Sequence, residues 1–594
     1  MVARFGGEGG LGRRLQLYLL ARQEKLDNWA VNYWLDDMYL KNDLALPVNS
    51  NPGMVFPPRR FTTILDVARF TARMIDAAVT HKAMLDRREL PIERATSREP
   101  GQPLCMAQYY RLLGSCRLPG KDRDSQHVAP QPSQSGGGEL PTEHVVVACR
   151  SQLYCVPVQA PDRGRLNEDE ICAQLLHILD DAPCLASPPP VGLLTGIQRN
   201  KWAEARETLC RDDRNRHNLE LIARSLLVIC LDEPLPTSFN CRLQKGGKGH
   251  NTGGRDETNL ALQMIHGGGS SYNSSNRWFD KTIQLVISGD GACGLCYEHS
   301  SAEGIAVIQL VEKLYKHAEE GQTNEPPAPS SHLPPPERLE WNLEADDHRR
   351  IEEAANFLDN LVKDLDYQVF RFIGYGKDFI KSCKVSPDVY IQLALQLAYY
   401  RLYGKLTATY ESASTRRFKH GRVDCIRSAS PEALAWCQAM ALPKEDEKKV
   451  TFHLVSDEIK LNLWNEAVKQ QTKEMIDNIL GQGIDIHLLG LREAAKETSP
   501  TASHPLPEIF TDESYRLANK FLLSTSQVAT SDDTFMGYGP VEPEGYGASY
   551  NPKGSHIIFC LSAFWSSEST SSSRFAQSLE ESLNGMKELL SRPQ

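Results

Sequence analysis

His299 and Glu303 stand four residues apart in the run Tyr297-Glu298-His299-Ser300-Ser301-Ala302-Glu303-Gly304. An imidazole titrates near neutrality, so it can take a proton from a hydroxyl, and a nearby carboxylate biases its orientation and charge. The run follows an apolar stretch over 282–287 and the turn Ser288-Gly289-Asp290-Gly291. That order predicts a strand feeding a short helix, with His299 at the strand end and Glu303 one turn further on the same face. On its own, the spacing fits a plain surface pair equally well.

Three other groups offer chemistry. Ser524-Thr525-Ser526-Gln527 presents hydroxyls, either to stabilise developing charge or simply as a strand or turn. Lys377, Lys381 and Lys384 gather cationic charge ahead of Ser386-Pro387-Asp388, as a solvated helix end or as an anion site. Cys293-Gly294-Leu295-Cys296 matches C-x-x-C, but it lies in a strand-like run with no second pair, so it reads as core packing. There is no G-x-S-x-G nucleophile elbow.

At 594 residues the chain exceeds one hydrophobic core, and two domains are expected. A net charge of -10 argues against a general nucleic-acid binder. No run of about 18 or more apolar residues occurs, and no secretory apolar core opens the chain. Arg4, Arg13 and Arg14 faintly suggest a presequence, but Glu8 and Glu24 oppose it, and one helix from about Leu11 to Leu40 is expected instead. The 15 scattered cysteines suit a reducing compartment.

Residues 129–141, the Gly-rich basic stretch 245–256 and the Pro-rich stretch 324–337 read as loops, the last as a domain boundary. The Gly-rich stretch lacks the G-K-[ST] ending of a phosphate loop. Beyond the boundary, apolar residues recur at helical spacing from His348 to Leu365. A buried helix is expected over 389–402 with Pro387 near its first turn, and Thr498–Pro507 breaks a helix starting near His487.

Several of these segments occur in one recognisable series. His266-Gly267-Gly268-Gly269, Arg277-Trp278-Phe279-Asp280-Lys281 and Glu298-His299 are followed by Tyr375-Gly376-Lys377-Asp378-Phe379-Ile380-Lys381, Ser386-Pro387-Asp388 and Tyr410-Glu411-Ser412-Ala413-Ser414. Ile426-Arg427-Ser428, Ser524-Thr525-Ser526-Gln527, Tyr538-Gly539-Pro540 and Gly545-Tyr546-Gly547 complete it. In kind and order these resemble the choline/carnitine acyltransferase family over nearly the whole chain. The resemblance implies an α/β fold of two related domains, each like chloramphenicol acetyltransferase, with an active-site tunnel at their interface. The expected division is an N-terminal helical segment over 1–45, a catalytic domain carrying the base over 46–343 and a domain carrying the coenzyme- and acceptor-binding elements over 344–594. Family members usually begin with a further Pro-rich helical segment, so a shorter isoform or a truncated gene is expected.

By the same resemblance His299 is the catalytic base, Glu303 its orienting partner and Ser526 the oxyanion donor. Both substrates are held at once and no covalent intermediate forms. Lys377, Lys381, Ser382, Cys383, Lys384, Val385, Ser386, Pro387 and Asp388 would bind coenzyme A, with the lysines on its 3'-phosphate and Asp388 at its adenine end. Ser412 and Gln527 would contact the pantetheine arm. No metal or prosthetic group is implied.

The acceptor site is expected around Tyr410, Val423, Cys425, Ile486, Ser524, Met536 and Tyr538. Carnitine-specific relatives meet a carboxylate with threonine and arginine, where this chain has Val423 and Ile486. A buried carboxylate left unpaired costs on the order of 3–5 kcal/mol, so choline is the expected acceptor. Its quaternary ammonium suits aromatic faces at roughly 0.5–2 kcal/mol each. Cys425 and Ile486 replace asparagines usual in choline-specific relatives, and the motif around His299 is closer to the carnitine branch. Met536 would close the acyl pocket and restrict transfer to acetyl groups. The expected protein is a monomeric cytoplasmic acetyltransferase of the nerve terminal, acting on acetyl-CoA and choline. A carnitine acetyltransferase, a weakened paralogue and a non-catalytic binding protein are its rivals.

Overall fold

The computed structural model describes all residues except 97–98, 131–142, 161–163, 185–187, 240–254, 322–324, 328–332, 334, 442–454, 499–505 and 592–594. Most of the expected loops at 129–141 and 245–256, with parts of 324–337 and 498–507, therefore lie outside the described residues.

Two mixed sheets organise the chain. The first runs in the spatial order Glu337–Arg338, Gln152–Pro157, His144–Cys149, Val228–Asp232, Ile283–Ser288, Cys293–Tyr297, Gly53–Val55 and Phe535–Gly537. Its three central strands, from His144–Cys149 to Ile283–Ser288, are parallel and buried throughout. Strands covered on both faces need continuous apolar runs rather than alternation, and Val145-Val146-Val147-Ala148 is such a run. Helices Ile64–Asp86 and Gly304–Glu320 pack one face around Phe70, Ile75 and Leu310. Trp202, Ile222 and Ile265 pack the other.

The second sheet runs Leu365–Phe372, Ile557–Phe564, Tyr546–Pro552, Leu523–Gln527, Thr409–Ser414 and Val423–Ile426. Helices Pro387–Tyr403 and Ser572–Leu590 cover one face. Its other face meets the first half, where Tyr367, Ile558 and Cys560 join the core of Trp202 and Ile265. The expected α/β class is the observed one. Phe535–Gly537, late in the chain, nevertheless completes the first sheet by pairing with Gly53–Val55. That pairing ties the late segment of the chain to the first sheet.

Two local expectations are corrected. The N-terminal segment is not one helix: Leu11–Gln23 stops, and a second begins at Val31 after Asn28 Oδ1 accepts from the amides of Ala30 and Val31. An asparagine that satisfies the amides of a new helix favours a restart over continuation. The second helix runs directly into a π-turn over Asp36–Leu40. Nor does a short helix join His299 to Glu303. Strand Cys293–Tyr297 ends just before His299, a turn follows, and Glu303 is the N-cap of the long helix Gly304–Glu320. The helices expected at 348–365 and 389–402 occupy Ala345–Asp364 and Pro387–Tyr403.

Candidate active site

A cavity of about 440 Å³ lies between the halves. From the first half it is lined by Tyr39, His299 and Glu303, and from the second by Tyr410, Ser412, Val423, Ser524, Ser526, Met536 and Tyr538. Residues far apart in sequence thus line one cavity.

His299 is exposed to the cavity while its neighbours are locked. Glu298 is fully buried and accepts from the Ser300 amide at 3.1 Å, the Ser300 hydroxyl at 2.7 Å and Arg117 at 3.2 Å. Arg117 also binds Asp124, which holds Arg199 in turn. This chain of alternating charges fixes the turn from below. Arg422 fixes it from the opposite half, donating to Glu303 Oε1 at 2.8 Å and to the carbonyls of Ser300 at 2.6 Å and His299 at 3.0 Å. A planar guanidinium serves several acceptors at once, and its face rests on Trp34 at 4.6 Å. Gln108 adds a bridge between the Glu303 amide and the Gly421 carbonyl.

Glu303 is not hydrogen-bonded to the imidazole. Its Oε2 lies 3.8 Å from His299 Nδ1, whereas the Tyr39 hydroxyl is 2.9 Å from that nitrogen. The Tyr39 ring also stacks on the imidazole, with centroids 5.5 Å apart and planes 19° apart.

Facing this side, Ser524 and Ser526 line the cavity from strand Leu523–Gln527. Tyr410 packs edge-on against Phe521, and Tyr538 donates to the Ser524 carbonyl at 3.2 Å. Met536 is buried against Tyr297, whose hydroxyl lies 3.4 Å from its sulfur. Cys425 and Ile486 are not among the lining residues. Cys425 turns toward the Thr409 carbonyl, and Ile486 packs with Val423 against the N-terminal helices.

Lys377 and Lys381 belong to the short helix Lys377–Ser382, and Cys383, Lys384, Val385 and Ser386 connect it to Pro387–Tyr403. Lys381, Ser382, Lys384 and Ser386 are exposed, as is Gln527 at the end of strand Leu523–Gln527. Lys553 stands near Lys377, whose charge joins burial in lowering its pKa. Asp388 is turned inward: Tyr550 donates to it at 2.5 Å, and it neighbours the buried Glu411. Burial raises the pKa of both carboxyls, and two acids so close share a proton rather than both ionising. Cys293 and Cys296 are buried core thiols, the latter pushed up to about 12 by burial.

Sequence reasoning missed Tyr39, Phe521, Arg117 and Arg422. Arg422 adjoins Val423 and was within reach; nothing in the spacing ties Tyr39 to His299, 260 positions away.

The model of the choline/carnitine O-acyltransferase family matches residues 1–581. The chain belongs to that family. Among its family relatives, a choline O-acetyltransferase of Drosophila melanogaster is 56% identical, covering 99% of this chain and 83% of its own length. The Homo sapiens choline O-acetyltransferase is 44% identical, with 100% and 75% covered. A carnitine O-acetyltransferase of Columba livia is 39% identical, with 99% and 88% covered. Among solved structures, a condensation domain from the enacyloxin polyketide synthase covers 94% of this chain and 82% of its own at TM-score 0.35 and 10% identity. An imidazole, several hydroxyls and an aromatic wall line this one cavity.

Proposed function

We propose that this protein is a choline O-acetyltransferase, converting acetyl-CoA and choline to acetylcholine and CoA. One observation carries the acceptor. Among the described residues lining the cavity, Arg117 is the only arginine or lysine, and Asp124 and Glu298 already engage it. The same lining offers Glu542, with Asp37 and Glu303 already engaged by Arg492 and Arg422, and Tyr39, Tyr410, Phe521 and Tyr538 as aromatic faces. A quaternary ammonium gains from both sets, whereas an acceptor carboxylate would meet no cation. Val423 adds an apolar wall where an anion would need a partner. The choline-named relatives at 44–56% identity support the same reading.

In this mechanism His299 removes the proton from the choline hydroxyl as the oxygen attacks the thioester carbonyl. A base so placed contributes roughly 100- to 10,000-fold. The tetrahedral oxyanion forms beside Ser526, and one such donor supplies about 2.7–4 kcal/mol. Collapse expels the CoA thiolate, which takes the proton held by His299. Lys377 and Lys381 hold the 3'-phosphate, and Ser412 and Gln527 guide the pantetheine arm into the cavity. Asp388, which also accepts from Tyr550, lies at the adenine end. Met536 limits the acyl group to acetyl. The division at 343/344 then gives the base to one half and the coenzyme to the other. The enzyme works as a monomer in the cytoplasm of the nerve terminal; among the described residues no helix is long and apolar enough to cross a membrane.

The motif around His299 favours carnitine as a second acceptor to compare. Thiol release from acetyl-CoA, measured with choline and carnitine at equal concentrations, separates them. Choline is expected to be strongly preferred, and a clear preference for carnitine overturns the acceptor. No release with any amino alcohol, alongside intact CoA binding, identifies a binding protein.

A further inference from the structure

We propose that Tyr39 is a positioning residue that sets the tautomer of His299. Its hydroxyl, 2.9 Å from Nδ1, accepts from Nδ1–H and so leaves the Nε2 lone pair free for the reactants. The inference deepens the general-base role proposed above and rests on it.

The distances assign the roles. At 3.8 Å, Glu303 Oε2 is beyond hydrogen-bond range of Nδ1, so the carboxylate cannot fix the ring directly. Tyr39 at 2.9 Å can. A base acting through Nε2 requires the neutral imidazole to carry its proton on Nδ1, and that proton must donate. The Tyr39 oxygen is then the acceptor, and its own hydrogen needs another. Burial holds the phenol well above its ordinary pKa, so the hydrogen is present, and Tyr39 lines the cavity into which that hydrogen can turn. Arg422 Nε engages Oε1 of Glu303, and Oε2 is the oxygen facing the imidazole. The opposite arrangement, Tyr39 donating to Nδ1, would place the proton on Nε2 and disable the base.

The backbone is shaped to deliver this hydroxyl. Tyr39 sits in the π-turn Asp36–Leu40, and its carbonyl accepts from Arg117 at 2.5 Å. Single wide turns of this kind re-aim side chains within a helix and concentrate at functional sites. Arg117 thereby ties Tyr39 to Glu298, the residue before His299.

The test is a long-range 1H–15N correlation spectrum of ring-labelled protein at mildly alkaline pH, with the His299 signals identified by their loss in His299→Gln. The proton is expected on Nδ1 in the wild type and on a mixture of both nitrogens in Tyr39→Phe. That variant keeps the stacked ring. Its kcat should fall about 10- to 100-fold, less than the roughly 10,000-fold lost when a triad histidine is held in the wrong tautomer. Its KM for acetyl-CoA should stay within about 2-fold, because the hydroxyl serves the base and not the coenzyme. Protonation on Nε2 in the wild type overturns the proposal, and so does a Tyr39→Phe enzyme with wild-type kcat. A slow variant with unchanged tautomer also overturns it. The spectrum needs no acceptor, so a preference for carnitine would refute the choline reading and leave this measurement to judge Tyr39 alone.

Discussion

Asp424 shows how closely the cavity wall is balanced. Its side chain lies behind Val423, where Oδ1 accepts from the amides of Cys425 at 2.8 Å and Ile486 at 3.3 Å. Burial is nevertheless the larger influence and, with Asp485 nearby, raises the carboxyl to about 6. In the unfolded chain it ionises near 3.8. Between those values the unfolded state releases a proton that the folded state keeps, so stability falls as pH rises through the window. Above it the penalty is complete, up to roughly 3 kcal/mol at 1.36 kcal/mol per unit. Asp424→Asn keeps the accepting oxygen and removes the charge. Thermal unfolding between pH 4 and 7.5 should therefore show the variant more stable at neutral pH and level with wild type near pH 4. The raised Asp388 and Glu411 carboxyls leave a slope of the same sign in both proteins, so the difference curve is the informative quantity.

At the scale of elements, the site depends on contacts between strand ends. Strand Cys293–Tyr297 delivers His299, helix Gly304–Glu320 begins on Glu303, and strand Val423–Ile426 follows directly on Arg422. Arg422 is the clamp that makes three termini one unit. Arg422→Ala would strip a largely buried carboxylate of its partner, at a cost of about 3–5 kcal/mol. Arg422→Lys is the sharper experiment. It restores the charge but, as a point donor, cannot serve Glu303 and two carbonyls in one plane. Its kcat should fall about 100-fold, the cost of displacing a reacting group by about 1 Å, with acetyl-CoA affinity retained. A lysine variant at wild-type rate would reduce Arg422 to a surface-style ion pair. The pairing of His299 with Glu303 was legible in the sequence because four residues span a short distance in any compact turn. The turn itself was not, since Ser300-Ser301-Ala302 carries no signal separating a helical turn from a capping loop.

For the molecule as a whole, charge and architecture act together. The chain is acidic overall, at -10, and the cavity lining carries Glu542 besides Asp37 and Glu303, the last two paired with Arg492 and Arg422. A cationic acceptor should be drawn in by this field, and screening should weaken the attraction. At saturating acetyl-CoA, kcat/KM for choline should fall about 3- to 10-fold as salt rises from roughly 0.05 to 0.5 M. The uncharged isostere 3,3-dimethylbutan-1-ol should show a flat profile under the same conditions. Parallel profiles for both would mean that the carboxylates do not steer the acceptor.

The motifs and their order pointed to an α/β chain of the acyltransferase family and named a minority of the described cavity lining. His299, Glu303, Ser412, Ser526 and Tyr538 could be singled out because each sits in a short run that resembles one of the family's motifs. The tertiary structure alone decided that Phe535–Gly537 would join the first half's sheet, that Cys425 and Ile486 would face away from the cavity, and that Tyr39 would reach His299. These arrangements come from packing two halves against each other, and contacts between positions hundreds of residues apart leave no periodicity in a single sequence.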